Sequence, residues 1–160
     1  MDVYDYAMQM EKDGEKLYRE AANRSSHLGI GAIMTMLADA EVAHYNLFKN
    51  MKEQKGGRLP EANLLKDVKN VFVKMKEEGG LEPVGVPEID LYRKAQDIEK
   101  KSEDFYRDSA SKAEGATRES FVQVADEESK HYFILQQIID FVSRPQQWLE
   151  NAEWYHLDEY

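Results

Sequence analysis

The sequence contains no cysteine, which excludes disulfides, thiol nucleophiles, zinc ribbons, iron–sulfur clusters and iron centres held by thiolates. Positive charge is also scarce: 21 Lys and Arg face 31 Asp and Glu. The net charge of −10 repels phosphate backbones, so we expect no nucleic-acid partner. No apolar run approaches the about 18 residues of a membrane span, and the first residues lack the basic and apolar regions of a secretory signal. We therefore expect one acidic, soluble, cytoplasmic domain without membrane contact.

Apolar residues recur with helical spacing in four segments, at 2–24, 30–54, 89–113 and 118–142. Each segment is long enough for a helix of roughly 36 Å. Short connections join the first segment to the second and the third to the fourth, whereas a stretch at 56–88 with glycine and proline near both ends separates the two pairs. The sequence therefore predicts an all-α four-helix bundle. Its long crossover carries a short helix and places the second and third long helices parallel.

The second half of the predicted bundle repeats the first. Residues of the first helix recur 88 positions later in the third: Tyr4, Ala7, Glu11 and Tyr18 correspond to Tyr92, Ala95, Glu99 and Tyr106. Residues of the second helix recur 87 positions later in the fourth: Asp39, Glu41, His44 and Tyr45 correspond to Asp126, Glu128, His131 and Tyr132. These constant offsets indicate a duplicated helical hairpin with approximate two-fold symmetry.

Polar residues interrupt the apolar stripes of all four helices at corresponding positions: Glu11, Glu41, His44, Glu99, Glu128 and His131. Burying an unpartnered carboxylate costs several kcal/mol, and clustered carboxylates repel one another unless they are neutralised. Two divalent cations would cancel four such charges. Each His follows a Glu by three residues, which places both side chains on one helix face. Carboxylates and imidazoles without thiolates suit iron or manganese, with zinc also possible, so the pattern predicts a di-metal site.

Other acidic residues of the repeat have simpler explanations. Glu15 and Glu103 lie off the centre of the apolar stripes, where solvation or salt bridges between helices are expected. Asp39 and Asp126 come two residues before the Glu of each Glu-x-x-His pair, which points their side chains away from the predicted site. We therefore assign these four residues to the surface.

The last residues, 145–160, form a tail after the bundle domain of residues 1–144, whose crossover is 56–88. The tail carries aromatic and aliphatic anchors: Trp148, Leu149, Trp154, Tyr155, Leu157 and Tyr160. We expect it to dock either on its own bundle or on a partner chain. It also contains Glu153 and His156 at the spacing of the other pairs, but this pair has no repeat counterpart and is not expected to bind a functional metal.

Two pairs of segments together resemble the rubrerythrin branch of the ferritin-like di-iron superfamily: MEKDGEKLYREAA with ADAEVAHYNLF, and IEKKSEDFYRDSA with ADEESKHYFIL. The resemblance covers about residues 1–55 and 88–142, and it implies a ferritin-like bundle with two iron ions. It implies that Glu41 and Glu128 bridge the two ions and that Glu11 and Glu99 are terminal carboxylate ligands. The implied nitrogen ligands are His44 and His131. Tyr18 and Tyr106 match family tyrosines that hydrogen-bond ligand carboxylates.

The resemblance implies an oxidoreductase whose six ligands form the catalytic site and which reduces hydrogen peroxide or dioxygen in oxidative-stress defence. One position departs from the family pattern: Ser102 stands where rubrerythrins usually carry an additional carboxylate, and its repeat counterpart is Gly14. No rubredoxin domain is present in this sequence, so a separate electron-donor protein is expected. The alternatives are a ferroxidase that handles or stores iron and a hydroxylase acting on an organic substrate. We also expect a homodimer.

Overall fold

Helices make up nearly all of the chain. The computed structural model describes residues 1–60 and 62–159, without the side chains of Ala152, Glu153 and Tyr155. Six α-helices and one 3-10 helix form in this part of the chain: α1 Val3–Arg24, α2 Leu28–Lys52, α3 Leu64–Glu78, α4 Val86–Ser111, α5 Gly115–Ser143, α6 Pro145–Glu150 and the 3-10 helix Ala152–Glu159. The predicted all-α class with four long helices is confirmed, and α3 is the short helix expected in the crossover.

Local sequence signals mark where these helices begin and end. The Asp2 side chain accepts a hydrogen bond of 2.8 Å from the backbone N–H of Asp5 and so caps α1. Pro87 lies in the first turn of α4, where its missing N–H has no helical partner to lose. Gly79 ends α3 with a φ of 64°, a left-handed conformation that favours glycine.

The helices pair as two antiparallel hairpins, α1 with α2 and α4 with α5, and α1 packs against α4. Contacts at the two ends give the direction of each helix. Lys52, at the end of α2, forms an ion pair with Asp5 at the start of α1. At the opposite end, the Ser26 hydroxyl donates a hydrogen bond of 2.6 Å to Glu88 at the start of α4. Helices α2 and α4 therefore run parallel, as predicted, and the crossover travels the length of the bundle.

Two apolar clusters lie on either side of the middle of the bundle. The larger cluster lies at the end of the bundle where α1 connects to α2, and it includes residues of α3 and the C-terminal segment. Ile30, Phe72 and Phe141 are fully buried in it. The smaller cluster lies at the other end and includes Phe48 and Phe121. Polar residues that the sequence placed on the apolar stripes lie between these clusters, so both ends of the bundle shield them from water.

The C-terminal segment packs on its own bundle. Trp154 is buried, and its indole N–H donates a hydrogen bond of 3.0 Å to the backbone oxygen of Leu149. The Trp148 ring lies 4.5 Å from the Phe72 ring of α3 between centroids. The sequence left open whether this segment docks on its own bundle or on a partner chain, and in the described chain it docks on its own helices. The division at residues 144 and 145 into bundle and tail stays a prediction, and Tyr155 and Tyr160 lie outside the described side chains.

Candidate metal centre

Six polar side chains from four helices meet in the middle of the bundle. Helix α1 contributes one glutamate and α4 another, while α2 and α5 each contribute a Glu-x-x-His pair. Each of these side chains is 3 % exposed or less: Glu11, Glu41, His44, Glu99, Glu128 and His131. The structure therefore brings together every residue that the sequence proposed for a di-metal site, and it buries them all.

The six residues form two overlapping groups, each able to hold a cation. Ligand atoms in each group lie within 4.8 Å of one another. The first group is Glu11, Glu41, His44 and Glu128, and the second is Glu41, Glu99, Glu128 and His131. Because Glu41 and Glu128 belong to both groups, the arrangement can hold two cations that share two carboxylates.

The histidines occupy equivalent places in the two halves. His44 Nδ1 lies 2.9 Å from Glu128 Oε1 and 3.4 Å from Glu11 Oε2. His131 Nδ1 lies 3.3 Å from Glu41 Oε1 and 3.3 Å from Glu99 Oε1. The two imidazole rings stack with centroids 5.6 Å apart. Each Nδ1 therefore lies within 3.4 Å of one carboxylate of its own half and one of the other half.

Several polar atoms of this cluster have no hydrogen-bond partner. Among the described residues, the buried side-chain atoms without a hydrogen-bond partner are Glu11 Oε2, Glu41 Oε1, His44 Nδ1, Glu99 Oε2, Glu128 Oε1 and His131 Nε2. All belong to the six residues. Buried polar atoms without a partner are rare and cost about 1–3 kcal/mol each. Five of them are carboxylate oxygens or a histidine Nδ1 that faces carboxylates, which are the atoms a hard or borderline cation takes. The donor set thus fits two divalent cations.

Burial and mutual repulsion split the four carboxyl groups into two kinds. Burial, followed by the charges of Glu11 and Glu128, raises the pKa of Glu41 well above its ordinary value. Burial, followed by the charges of Glu99 and Glu11, does the same to the pKa of Glu128. The pKa values of Glu11 and Glu99 shift in the opposite direction. Burial alone would raise them, but the charges and hydrogen bonds around these two groups lower the pKa of Glu11 and bring that of Glu99 to about 2. The two shared carboxyls therefore hold their protons more tightly than the two terminal ones do.

Two buried tyrosines hold the carboxylates that are not shared. The Tyr106 hydroxyl of α4 donates a hydrogen bond of 2.6 Å to Glu11 Oε1 of α1. The Tyr18 hydroxyl of α1 donates to Glu99 Oε1 of α4. Burial and the neighbouring carboxylates raise the pKa of both phenols well above 10.0. The resemblance implied carboxylate partners for these tyrosines; the structure shows that each one binds the glutamate of the opposite hairpin and so orients it.

Gly14 lies beside the cluster at a position where an added side chain would crowd Glu41. A Cβ added there would lie 3.0 Å from Glu41 Oε2, closer than ordinary packing permits. Its counterpart Ser102 is 4 % exposed on α4. A side chain at position 14 would therefore push the Glu41 carboxylate aside by a few tenths of an ångström, whereas glycine leaves that carboxylate in place.

Two arginines organise the acidic residues outside the cluster. Arg19 contacts Glu15 of its own helix at 3.0 Å and Asp39 of α2 at 2.9 Å. Arg107 makes the equivalent contacts in the second half, to Glu103 at 2.8 Å and to Asp126 at 3.1 Å. Asp39 and Asp126 are exposed, whereas Glu15 and Glu103 are partly buried and form salt bridges to an arginine of their own helix.

His156 of the C-terminal segment lies outside the cluster. His156 is exposed, and its ring nitrogen lies 3.0 Å from a carboxylate oxygen of Glu159. The side chain of Glu153 lies outside the described residues.

Glu127 is a residue near the cluster that sequence reasoning missed. Its carboxylate lies 4.0 Å from His131 Nε2. It also lines a cavity of about 300 Å³ that borders His44. The rest of the cavity wall consists of apolar residues and two aspartates, which together come from α2, α3 and the crossover. Position 127 corresponds to Ala40 in the first half, so the duplication contained no signal for it.

Comparisons with known proteins agree with this arrangement. A family model described as Rubrerythrin matches residues 2–139. No curated protein and no solved structure gives a significant match. Within the described part of the chain, the helices are all too short or too polar to cross a membrane.

Proposed function

The chain belongs to the rubrerythrin family, and on that premise we propose that its buried cluster holds two iron ions and reduces hydrogen peroxide. The observation that carries this proposal is the pair of four-residue groups that share Glu41 and Glu128. In the proposed site these two carboxylates bridge the ions. Glu11 and Glu99 are the terminal carboxylates, and the nitrogen ligands are His44 and His131.

The proposed reaction, rather than the donor set, favours iron, because peroxide reduction needs two electrons. Two ferrous ions bound here would supply one electron each, and hydrogen peroxide takes up two electrons and two protons to become two water molecules. Manganese fits the same oxygen and nitrogen donors. Zinc fits them as well, but it has no redox chemistry.

The chain's own residues support such a reaction in three ways. The hydroxyls of Tyr18 and Tyr106 keep the terminal carboxylates in place. The apolar clusters at both ends of the bundle keep bulk water away from the charged residues. The cavity of about 300 Å³ beside His44 offers a small molecule a way to the cluster from the α2 and α3 side.

Iron oxidation for iron handling is the second candidate function. Ser102 and Gly14 favour it, because neither can supply the additional carboxylate that the resemblance associates with rubrerythrin chemistry. In this alternative iron is the substrate, and dioxygen accepts its electrons. Repeated peroxide reduction would need a separate protein that donates electrons, and a homodimer stays our prediction.

Rapid mixing of the ferrous protein with each oxidant separates the two functions. The protein is loaded anaerobically with two ferrous ions per chain, and iron oxidation is followed after addition of peroxide or dioxygen. We expect faster oxidation by peroxide that stops at two irons per chain. Faster oxidation by dioxygen that continues as more iron is added would instead establish the ferroxidase. No oxidation by either oxidant would contradict both.

Metal binding should release protons and should weaken as the pH falls. The raised pKa values of Glu41 and Glu128 favour the protonated form of both carboxyls in the metal-free protein, and both groups must ionise to bind a cation. Calorimetric titration with Mn²⁺ at pH 7, in two buffers of different ionisation enthalpy, measures this release. Heats that are independent of the buffer, or affinity that rises on acidification, would show that the carboxyls do not ionise on binding.

A further inference from the structure

The two tyrosines that bind the terminal carboxylates have very different surroundings. Tyr106 packs against three aromatic rings, with centroid distances of 5.0 Å to Phe48, 5.6 Å to Phe105 and 6.3 Å to Phe121. Tyr18 makes no ring contact with any described residue. The residues that correspond to the three phenylalanines in the other half are aliphatic: Leu135, Leu17 and Met34. The two halves of the duplication therefore differ in the surroundings of these tyrosines, because only Tyr106 is packed among aromatic rings.

The rings around Tyr106 continue to the protein surface. Phe105 lies 4.7 Å from Tyr6, whose side chain is 48 % exposed at the start of α1. A second branch runs from Phe121 to Tyr4, with centroids 6.1 Å apart. The same rings line a surface groove of about 530 Å³. The repeat counterpart of Tyr6 is Lys94, so only one half of the molecule has a tyrosine at the outer end of such a path.

We propose that Tyr106, Phe105 and Tyr6 form an electron path between the metal centre and the surface, and this inference rests on the proposed function. The path acts when peroxide meets a centre that can give only one electron. Tyr106 then supplies the second electron and passes its phenolic proton to Glu11 along their hydrogen bond.

Tyr6 restores Tyr106 by giving it an electron through the Phe105 ring, and Glu11 returns the proton. Tyr6 releases its own phenolic proton to solvent and remains as a neutral tyrosyl radical, open to an external reductant. The balance is one peroxide, one electron from the metal centre, one from Tyr6 and two protons, giving two water molecules. Phe105 is not itself oxidised, since its ring serves only to connect the two phenols. The path moves a damaging oxidising equivalent from the buried ligands to an exposed residue.

Spin trapping with peptide mapping tests this path directly. The protein is loaded anaerobically with one ferrous ion per chain, mixed with hydrogen peroxide and 2-methyl-2-nitrosopropane, and digested to locate the adducts by mass spectrometry. We expect adducts on Tyr6 and none on Tyr132, which is 39 % exposed but has no aromatic path to the cluster among the described residues. Loading two ferrous ions per chain should lower the yield, because the centre then supplies both electrons.

Matched variants distinguish the path from general oxidation. Tyr106→Phe and Tyr18→Phe each remove one hydroxyl that binds a terminal carboxylate, and Phe105→Leu interrupts the path while leaving both hydroxyls. We expect the Tyr6 adduct to be lost in Tyr106→Phe, reduced in Phe105→Leu and retained in Tyr18→Phe at equal iron content. Adducts on Tyr6 that persist in Tyr106→Phe, or that form equally on Tyr132, would overturn the path. Absence of peroxide consumption by wild-type protein would instead refute the proposed function and the path with it.

Discussion

Replacing Glu41 or Glu128 with glutamine is expected to abolish metal binding and peroxide reduction while making the metal-free protein more stable. Each carboxylate is shared by both candidate cation groups, so either substitution damages both positions at once. Loss of a residue that merely orients a ligand lowers metal affinity by about 10–100-fold, and loss of a shared ligand should exceed that range. Metal content after anaerobic loading and the rate of peroxide consumption measure this part of the prediction.

The gain in stability follows from the sign of the pKa shifts. The folded-state pKa of both carboxyls is raised well above the ordinary glutamate value of 4.5, so folding above pH 4.5 favours the uptake of protons that the unfolded chain does not hold. This unfavourable contribution is absent below pH 4.5 and grows as the pH rises toward the folded-state pKa. Glutamine has nearly the same shape and no proton to take up. The advantage of the variant in urea unfolding should therefore be greater at pH 7 than at pH 4.5.

Glu15→Gln is the matched control for these variants. Glu15 also recurs in the duplication, but it is half-buried and ion-paired with Arg19 away from the cluster. Its substitution should leave metal content unchanged and alter the free energy of unfolding by no more than about 1 kcal/mol. A Glu128→Gln protein that still binds two metal ions, or that is less stable than wild type without metal, would contradict the assigned role.

Metal loading itself should produce the second large effect, a marked rise in the thermal midpoint. A ligand present at 1,000 times its dissociation constant stabilises the folded state by about 4 kcal/mol per site. For a domain of this size each kcal/mol raises Tm by about 2–4 °C, so one occupied site should add about 8–16 °C. Mn²⁺ is the suitable cation for calorimetric scans because it occupies the same donors as iron without requiring an anaerobic cell.

Three comparisons make the thermal experiment specific. Excess chelator should return Tm to the metal-free value. Glu128→Gln protein should show little rise with the same concentration of Mn²⁺. Calcium prefers six to eight oxygen ligands, so it should stabilise the wild-type protein much less than Mn²⁺ does. An unchanged Tm with saturating Mn²⁺ would show that the cluster is a network of buried polar groups without a metal function.

The duplication made much of this protein readable from sequence. Glu11 and Glu99 stood out because a carboxylate interrupted an apolar stripe at the same place in both halves, and no local pattern alone would distinguish them from other glutamates. The same comparison failed for Glu127, whose counterpart is Ala40. It also gave little reason to separate Tyr18 from Tyr106, since two of the three rings around Tyr106, Phe48 and Phe121, come from other helices.

By itself, the sequence determined the all-α class, the two hairpins, the crossover and the six polar residues on the apolar stripes, because helical periodicity and repeat offsets are local properties of the chain. Only the tertiary structure decided which tyrosine holds which glutamate, since those hydrogen bonds join α1 to α4 across 95 and 81 positions of the chain. It alone also revealed the steric limit at Gly14 and the docking of Trp154 on the bundle. These features depend on which helix faces meet and at what distance.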